Sequence, residues 1–395
     1  MKLIAFLEDK IAIGGGFNQS LNAILQMSKI GEGNFDFEIY TVHLDNAEHL
    51  EKLGLSAKLL KLSFIDRIVF RATRSHLGQT LLDYTNFCSP FENTLINNNV
   101  DLVYFLTQSS TPGVLKKLNY ISTVFDLCHR DMLEFPEVGY SNEFFSRENH
   151  FKRNLSRAFL IITDSIQLSN SIEIRYGIDK KRILSSPFSP SPFIKKEHSI
   201  DTASVLKIYN LEEGYFFYPA QFWPHKNHAR ILEALSHLNS IGVKFNIVFS
   251  GTDKGNKQHI INLVEKYSLT KQVHFVDFVP PENMRGLYEG CLAVVMPTYF
   301  GPTNLPPLEA WTLGKPLIYS SHLESQAKNA AIYVNPDDPK HLADAMTACT
   351  DPKICATLVE AGYERLNQMR CEQIESENSL KNLLLEFKQR RKCWS

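Results

Sequence analysis

The stretch Ala293-Val294-Val295-Met296-Pro297-Thr298-Tyr299-Phe300-Gly301-Pro302-Thr303-Asn304-Leu305-Pro306-Pro307-Leu308-Glu309-Ala310-Trp311, running on through Thr312-Leu313-Gly314-Lys315-Pro316 to Leu317-Ile318-Tyr319, decides the fold class. It opens on an unbroken apolar run, passes through a Gly/Pro loop, and enters a helix beginning near Leu305–Pro307. A second apolar run follows at Leu317–Tyr319. Short continuous apolar runs separated by helical segments indicate parallel strands covered on both faces.

The same alternation continues outward. Strand candidates in the first half are Leu3–Leu7, Glu38–Val42, Leu102–Phe105, Ser122–Phe125 and Ala158–Thr163. In the second half they are Tyr215–Tyr218, Phe245–Phe249, Val273–Phe275, Ala293–Met296, Leu317–Tyr319 and Ala331–Val334. Ile231, Leu232, Leu235 and Leu238 share one face of a helix over Asn227–Ser240. Asp337-Asp338-Pro339 supplies a helix start, with Asp as cap and Pro in the first turn. The Ser185-Ser186-Pro187-Phe188-Ser189-Pro190-Ser191-Pro192 tract has linker composition and places a hinge near residues 186–205. The reading is α/β: a doubly wound domain over 1–190, a second over 191–375, and a C-terminal helix and tail over 376–395 that crosses back to the first.

Composition bounds the function. The 395 residues carry 42 basic and 43 acidic side chains, a formal charge of −1, which gives no global electrostatic case for nucleic acid. At 44% apolar and 22% charged, the chain is neither disordered nor fibrous. No run approaches the length of a membrane-spanning helix, and the N-terminus lacks the pattern of a signal peptide. Seven scattered cysteines without a C-x-x-C pair argue against a disulfide framework or zinc site and point to a cytoplasmic setting.

Four segments carry chemistry. Gly14-Gly15-Gly16 follows the first strand and precedes a helix at Asn18–Ser28, so Gly15 and Gly16 let the backbone approach a ligand at a helix N-terminus. The full G-x-G-x-x-G spacing is absent, since Gln19 stands last, and a plain strand-to-helix turn is the alternative. Pro302, Thr303 and Asn304 lie at the start of the helix after Met296, where a phosphate is stabilised. Glu309, one turn in, is placed to accept hydrogen bonds from vicinal ribose hydroxyls. Lys226 lies between a buried strand and a helix. In the first half, Asp126 and His129 follow a strand, at the carboxyl end where α/β sites gather.

These residues carry a resemblance. Segment 296–316 is similar to the nucleotide-sugar motif of family 4 glycosyltransferases, retaining enzymes of the GT-B fold, whose pattern is P-S-x-x-E-G-F-G-L-P-x-L-E-A ending G-x-P. Glu309 matches the second acid; Gly301 stands at the first, and Pro302-Thr303-Asn304 replaces Gly-Phe-Gly. Tyr218–Asn227 resembles G-R-L-x-P-x-K-G/N, in which Arg and Lys neutralise the donor diphosphate. Lys226 matches the Lys, and Gln221 stands in the place of the Arg. Thr123–Asp131 resembles V-x-H-D-L: Asp126 matches, Phe125 replaces the family histidine, and His129 lies three residues past Asp126. Ile161–Ser165 fits a strand ending in Ser, and Val273–Val279, with Phe278 and Val279, fits the region whose backbone meets the base. The resemblance covers most of the chain, is strongest across 215–340 and weakest across 35–100.

The resemblance implies a GT-B fold, two Rossmann-like domains facing each other across a cleft. It implies transfer of a sugar from a UDP-, GDP- or dTDP-linked donor to a lipid-linked or oligosaccharide acceptor, in synthesis of a surface polysaccharide such as an O-antigen or capsule. Donor contacts fall on Gly15, Gly16, Gln221, Lys226, Pro302, Thr303, Asn304 and Glu309, and catalytic roles on Asp126 and His129. Retention through a front-face route, with the diphosphate as base, is implied, and no cofactor or obligatory metal is expected. Two alternatives stay open: a GT-B sugar-nucleotide 2-epimerase, and a donor-binding pseudo-glycosyltransferase or scaffold subunit. Residues 58–76 hold five Lys/Arg among apolar residues against one acid, the composition of an interfacial helix, and 388–395 is again basic with an aromatic. Two readings of residues 58–76 stay open: an interfacial helix resting on the inner face of an anionic cytoplasmic membrane, and a core-facing helix with a solvated basic face.

Overall fold

The computed structural model describes residues 1–10, 15–85, 87–140, 142–194 and 200–394. It divides into two compact units. Met1–Glu134, Val138–Phe188 and Glu372–Ser395 form the first, and Phe135–Glu137 with Ser189–Cys371 form the second. Part of the segment expected to act as a hinge, residues 195–199, lies outside the described residues, as does Gly14.

The first unit is built on β1 (Lys2–Leu7), β2 (Asp36–Thr41), β3 (Ala57–Leu59), β4 (Leu102–Phe105), β5 (Asn119–Val124), β6 (Leu160–Thr163) and β7 (Ile183–Ser185). They form one parallel sheet in the order β3-β2-β1-β4-β5-β6-β7. Every residue of β4 and β6 is buried, as an unbroken apolar run requires when helices cover both faces. The strand order reverses between β1 and β4. The crevice beyond the carboxyl ends of those two strands is where such sheets bind ligands.

A buried acid fixes the entry to β5. Glu92 has no exposed surface, and its carboxylate accepts the backbone N–H groups of Lys116, Lys117 and Leu118 at 2.7–3.0 Å. Three consecutive amides around one carboxylate satisfy the charge that burial would otherwise penalise.

The second unit holds β8 (Tyr215–Pro219), β9 (Ile247–Ser250), β10 (Val273–Asp277), β11 (Cys291–Met296), β12 (Leu317–Ser320) and β13 (Ile332–Val334). Their order is β10-β9-β8-β11-β12-β13, again parallel, with the reversal between β8 and β11. The helix His228–Ser240 follows β8 and buries Ile231, Leu232, Leu235 and Leu238. Asp338 caps the helix Pro339–Ala348, accepting the N–H groups of Lys340 and His341.

The helix Pro352–Arg390 passes out of the second unit's residues, and its end is tied within the first. Gln373 Nε2 donates to the carbonyls of Pro187 and Phe188 at 3.2 and 2.6 Å, Lys29 pairs with Glu377 at 2.9 Å, and Phe387 packs on Phe159. The Arg391 guanidinium pairs with Asp101 at 2.9 Å.

The basic stretch 58–76 is not one helix. It contains most of the short strand β3, a capped helix over Phe64–Ala72, and the first residue of a further helix, His76–Tyr84. Ser63 and Asp66 form a reciprocal capping box, and Asp66 also accepts the Phe91 N–H at 2.8 Å.

Candidate functional site

In the second unit, the two loops that leave the sheet at its reversal point carry the donor motifs. The loop after β8 turns at Trp223 and runs through a short 3-10 turn, Pro224–Lys226, to Asn227, which has a left-handed backbone. Asn227 is buried, and its side-chain amide donates to the carbonyls of Pro297 and Pro336 at 3.0 and 2.8 Å. That clamp sets Lys226 against the loop after β11, where its ammonium lies 3.3 Å from Asn304 Oδ1. Lys226 and Asn304 are thus brought together.

Asn304 precedes the helix Leu305–Thr312 as its N-cap residue, but its side chain makes no capping bond. Its backbone N–H donates to Gln326 Oε1 at 2.9 Å, and its Nδ2 donates to the Tyr319 hydroxyl at 2.7 Å. The second and third residues of this helix, Pro306 and Pro307, have no N–H. The helix dipole remains, while the amide donors of an anion site are reduced. Pro302 and Thr303 lie half-buried in the same loop.

Gly301 has φ +96°, a conformation that side chains rarely adopt, and a Cβ there would come within 3.1 Å of the Asn304 side chain. The missing first acid of the motif is therefore written into the backbone. A Glu at this position would need the loop to take another shape.

Glu309 is buried, with 7% exposure, and accepts a hydrogen bond from the Tyr288 hydroxyl to Oε2 at 2.6 Å. Among the described residues Oε1 has no hydrogen-bond partner. Burial pushes the carboxyl up, the Tyr288 bond pulls it partly back, and the result is about 7.

Gln221 accepts the Trp223 indole N–H on Oε1 at 3.1 Å. His225 stacks on Phe300 at 4.2 Å, and its backbone N–H donates to Glu137 at 3.0 Å within the same unit. Beyond β10, Phe278 is exposed and Val279 buried. The Asp277 carbonyl accepts the Gly251 N–H at 2.7 Å, drawing the loop after β10 against the loop after β9.

In the first unit, Asp126 lies just past β5 and is half-buried. Its Oδ1 receives Arg147 at 2.9 Å, the Cys128 N–H at 3.1 Å and the Cys128 thiol at 2.7 Å, and Gln108 reaches Oδ2 at 3.2 Å. Desolvation raises this carboxyl, but Arg147 and the donated bonds outweigh it and hold it at about 2. Asp126 is an ionised, fixed acceptor.

His129 is placed differently. Its ring has no exposed surface, sits 3.3 Å from Glu148 and 3.4 Å from the Tyr176 hydroxyl, and leaves Nδ1 buried without a partner among the described residues. Glu148 in turn is held well below the usual carboxylate range, first by Arg130. Burial lowers the pKa of His129. In this conformation the ring has no surface from which to touch a substrate.

The described residues place Gly15 and Gly16 at the start of the helix Gly15–Gly31, after β1. A Cβ on Gly16 would meet nothing within 4 Å, so the protein itself does not demand glycine there. Nearby, at the end of β1, Glu8 accepts the hydroxyls of Ser109 and Thr111 at 2.5 and 2.6 Å.

Comparison with known proteins fits this geometry. Residues 206–365 match the family model "Glycosyl transferases group 1". The chain is 25% identical over 199 residues to the O-antigen chain mannosyltransferase RfbU of Salmonella typhimurium, covering 49% of this chain and 52% of that one. The match therefore spans about half the length of that relative. Among solved structures, sucrose-phosphate synthase of Thermosynechococcus elongatus superposes with a TM-score of 0.70 at 16% identity, covering 97% of this chain and 99% of that one. Anabaena Alr3699/HepE, solved with UDP and glucose, gives 0.69 at 14% identity, covering 97% and 100%.

The fold is GT-B. The matched segment, 206–365, contains every predicted donor residue of the second unit, from Gln221 and Lys226 to Asn304 and Glu309. Sequence reasoning missed Tyr288, which holds Glu309, Tyr319 and Gln326, which hold Asn304, and, in the first unit, Arg147 and Gln108, which hold Asp126. They are distant in sequence from the groups they support and fall outside the motif patterns.

Proposed function

We propose that this protein is a retaining, family 4-type glycosyltransferase. It moves a sugar from a nucleotide-sugar donor to a lipid-linked or oligosaccharide acceptor in surface-polysaccharide assembly. The observation that carries this reading is the meeting of Lys226 with Asn304 at 3.3 Å, with Glu309 one helical turn beyond. An ammonium, a helix N-terminus and a carboxylate in that order suit a diphosphate followed by a ribose.

The chemistry follows from the placement. Departure of a nucleoside diphosphate leaves negative charge, which the Lys226 ammonium and the helix dipole stabilise as it develops. Glu309 Oε1 accepts ribose hydroxyls, and the backbone near Phe278 and Val279 meets the base. In the first unit, Asp126 is the acceptor offered to sugar hydroxyls, kept ionised and oriented by Arg147. His129 acts behind it, as a buried partner of Glu148.

The matched RfbU is a mannosyltransferase of O-antigen chains, so mannose is the first sugar to try. HepE was solved with UDP and glucose, which makes UDP the first alternative nucleotide. Among the described residues no helix is long and apolar enough to cross a membrane. The reading places the enzyme in the cytoplasm, on the inner membrane face, through residues 58–76 and 388–395.

The test is a thermal-shift panel of UDP-, GDP- and dTDP-sugars, followed by transfer of radiolabel from the best binder. Stabilisation by one donor and label in a lipid or oligosaccharide fraction are expected. A flat panel sinks the donor site, and label that stays on the nucleotide sinks the transferase.

A further inference from the structure

We propose that Lys254 is the second cation of the diphosphate site and supplies the charge that Gln221 does not carry. The inference rests on the donor-binding reading above. It begins from a deficit. A nucleoside diphosphate brings several negative charges, yet the two donor loops present it with one ammonium, Lys226. Gln221 is neutral, and its carbonyl oxygen is taken by the Trp223 indole. The Asn304 amide is taken by Gln326, and Pro306 and Pro307 donate nothing.

Lys254 lies in the loop that follows β9, the strand beside β8. The loops leaving these strands are pressed together. The Phe222 N–H donates to the Thr252 carbonyl at 3.1 Å, and Phe222 forms a parallel bridge with Asp253. The approach requires glycine at 251: its φ is +151°, and a Cβ there would fall 2.4 Å from the Ala220 carbonyl oxygen. Asp253 turns its carboxylate onto the N–H groups of Gly255 and Lys257, at 2.8 and 3.1 Å, which fixes the turn containing Lys254.

The result is that the Lys254 ammonium lies 5.7 Å from the centre of the Trp223 ring, the same indole that holds Gln221. Among the described residues no carboxylate pairs with it. The neighbouring cation, Lys257, is engaged by Asp277. An ammonium resting on an indole face is weakly held, and a flexible lysine stem can exchange that contact for a phosphate oxygen. The loop after β8 then supplies one cation, Lys226, and the loop after β9 the second.

The experiment is isothermal titration of the full chain with UDP and GDP, with uridine and guanosine as phosphate-free probes. Lys254→Ala should weaken the diphosphate that binds by about tenfold or more, the loss expected for one charged hydrogen bond, and leave the matching nucleoside unchanged. Lys254→Gln keeps the stem on Trp223 and should show the same loss. Gln221→Arg in the Lys254→Ala background should restore binding.

Three results would overturn the inference. One is a Lys254→Ala protein that binds the diphosphate normally while Lys226→Ala does not, which leaves the donor reading intact. Another is a loss seen in Lys254→Ala and absent in Lys254→Gln, which would make the role structural. The third is the absence of binding of either diphosphate to the unaltered protein, which removes the donor reading and this inference together.

Discussion

Gln326 closes on the backbone of Asn304 from both sides, its Oε1 accepting the Asn304 N–H at 2.9 Å and its Nε2 donating to the Asn304 carbonyl at 2.7 Å. The Tyr319 hydroxyl completes the network, donating to Gln326 Oε1 and accepting from Asn304 Nδ2, each at 2.7 Å. All these groups are buried, so each bond satisfies an atom that water does not reach. The start of the helix Leu305–Thr312 is thereby anchored by side chains from and beyond β12, the next strand of the sheet.

Gln326→Leu should therefore destabilise the second unit by roughly 3 kcal/mol, because two buried backbone groups lose their partners. Tyr319→Phe keeps the Gln326–Asn304 pair and should cost roughly 1 kcal/mol. Urea unfolding of both variants checks the ranking. Equal or negligible losses would show that the network does not hold the loop.

Glu309 gives a pH dependence with a defined sign. Its pKa is raised to about 7 by burial, so the folded protein favours the neutral form over the unfolded chain. Stability from this group is present below the ordinary carboxylate range and is lost as pH rises through about 7. Glu309→Gln should remove that loss and raise stability at pH 8 by up to about 3 kcal/mol. On the proposed donor reading, ribose binding should have the opposite slope, since the hydroxyls need the ionised acceptor. The preference for a ribonucleotide over its 2′-deoxy counterpart should grow from pH 6 to pH 8. Tyr288→Phe, which removes the bond holding this carboxyl down, should move the midpoint upward. A preference that ignores pH would separate Glu309 from the ribose.

The parts of this molecule that were legible in sequence are those whose physics is local. Phe216, Phe217 and Tyr218 announce β8, Val294 and Val295 announce β11, and Asp338 announces the helix it caps. The strands β3 and β7 were not legible. Each is three residues long at a sheet edge, and none of their residues is fully buried, so no apolar run marks them. Lys226, Asn304 and Glu309 could be read as candidates because each sits in a short local pattern, Lys226 in the loop before one helix and Asn304 and Glu309 at the cap of another and one turn beyond it. Their supports could not. Tyr288 meets Glu309 across 21 positions, and Gln326 meets Asn304 across 22, through packing that no spacing rule encodes. His129 shows the limit of locality: its neighbours in sequence suggest a site, while its neighbours in space bury its ring beside Glu148.

The Asp126–Arg147 pair sets an acid limit. Asp126 titrates at about 2, below its ordinary value of 3.8, so its stabilisation is complete above about pH 4 and is lost as pH falls through about 2. The contribution is about 2 kcal/mol. Arg147→Gln removes the partner and should flatten this part of the acid limb, as should Asp126→Asn. Comparing urea midpoints at pH 7 and pH 3 measures it. Parent-like acid sensitivity in both variants would mean that the pair is not what fixes this carboxylate.

The helix Phe64–Ala72 buries Val69 and the capping Asp66, packs Phe70 on Phe91, and turns its Phe64, Ile65, Arg67, Ile68 and Arg71 side chains outward. Phe64, Ile65 and Ile68 are 78, 48 and 53% exposed, with Arg67 and Arg71 beside them. The following helix adds Leu77, Leu81 and Tyr84, each at least 70% exposed. Apolar side chains interleaved with guanidinium groups suit a bilayer that carries negative headgroups, where each base near the surface contributes about 1 kcal/mol. Cosedimentation with phosphatidylglycerol-containing vesicles should therefore be clear at low salt and weak with purely zwitterionic vesicles. Arg67→Glu with Arg71→Glu should cut binding at least about tenfold by reversing two of those charges. Phe64→Ser with Ile68→Ser should lower it at every salt concentration, since burial of apolar surface is not screened. If both double variants bind as the parent does, the surface is not the docking face.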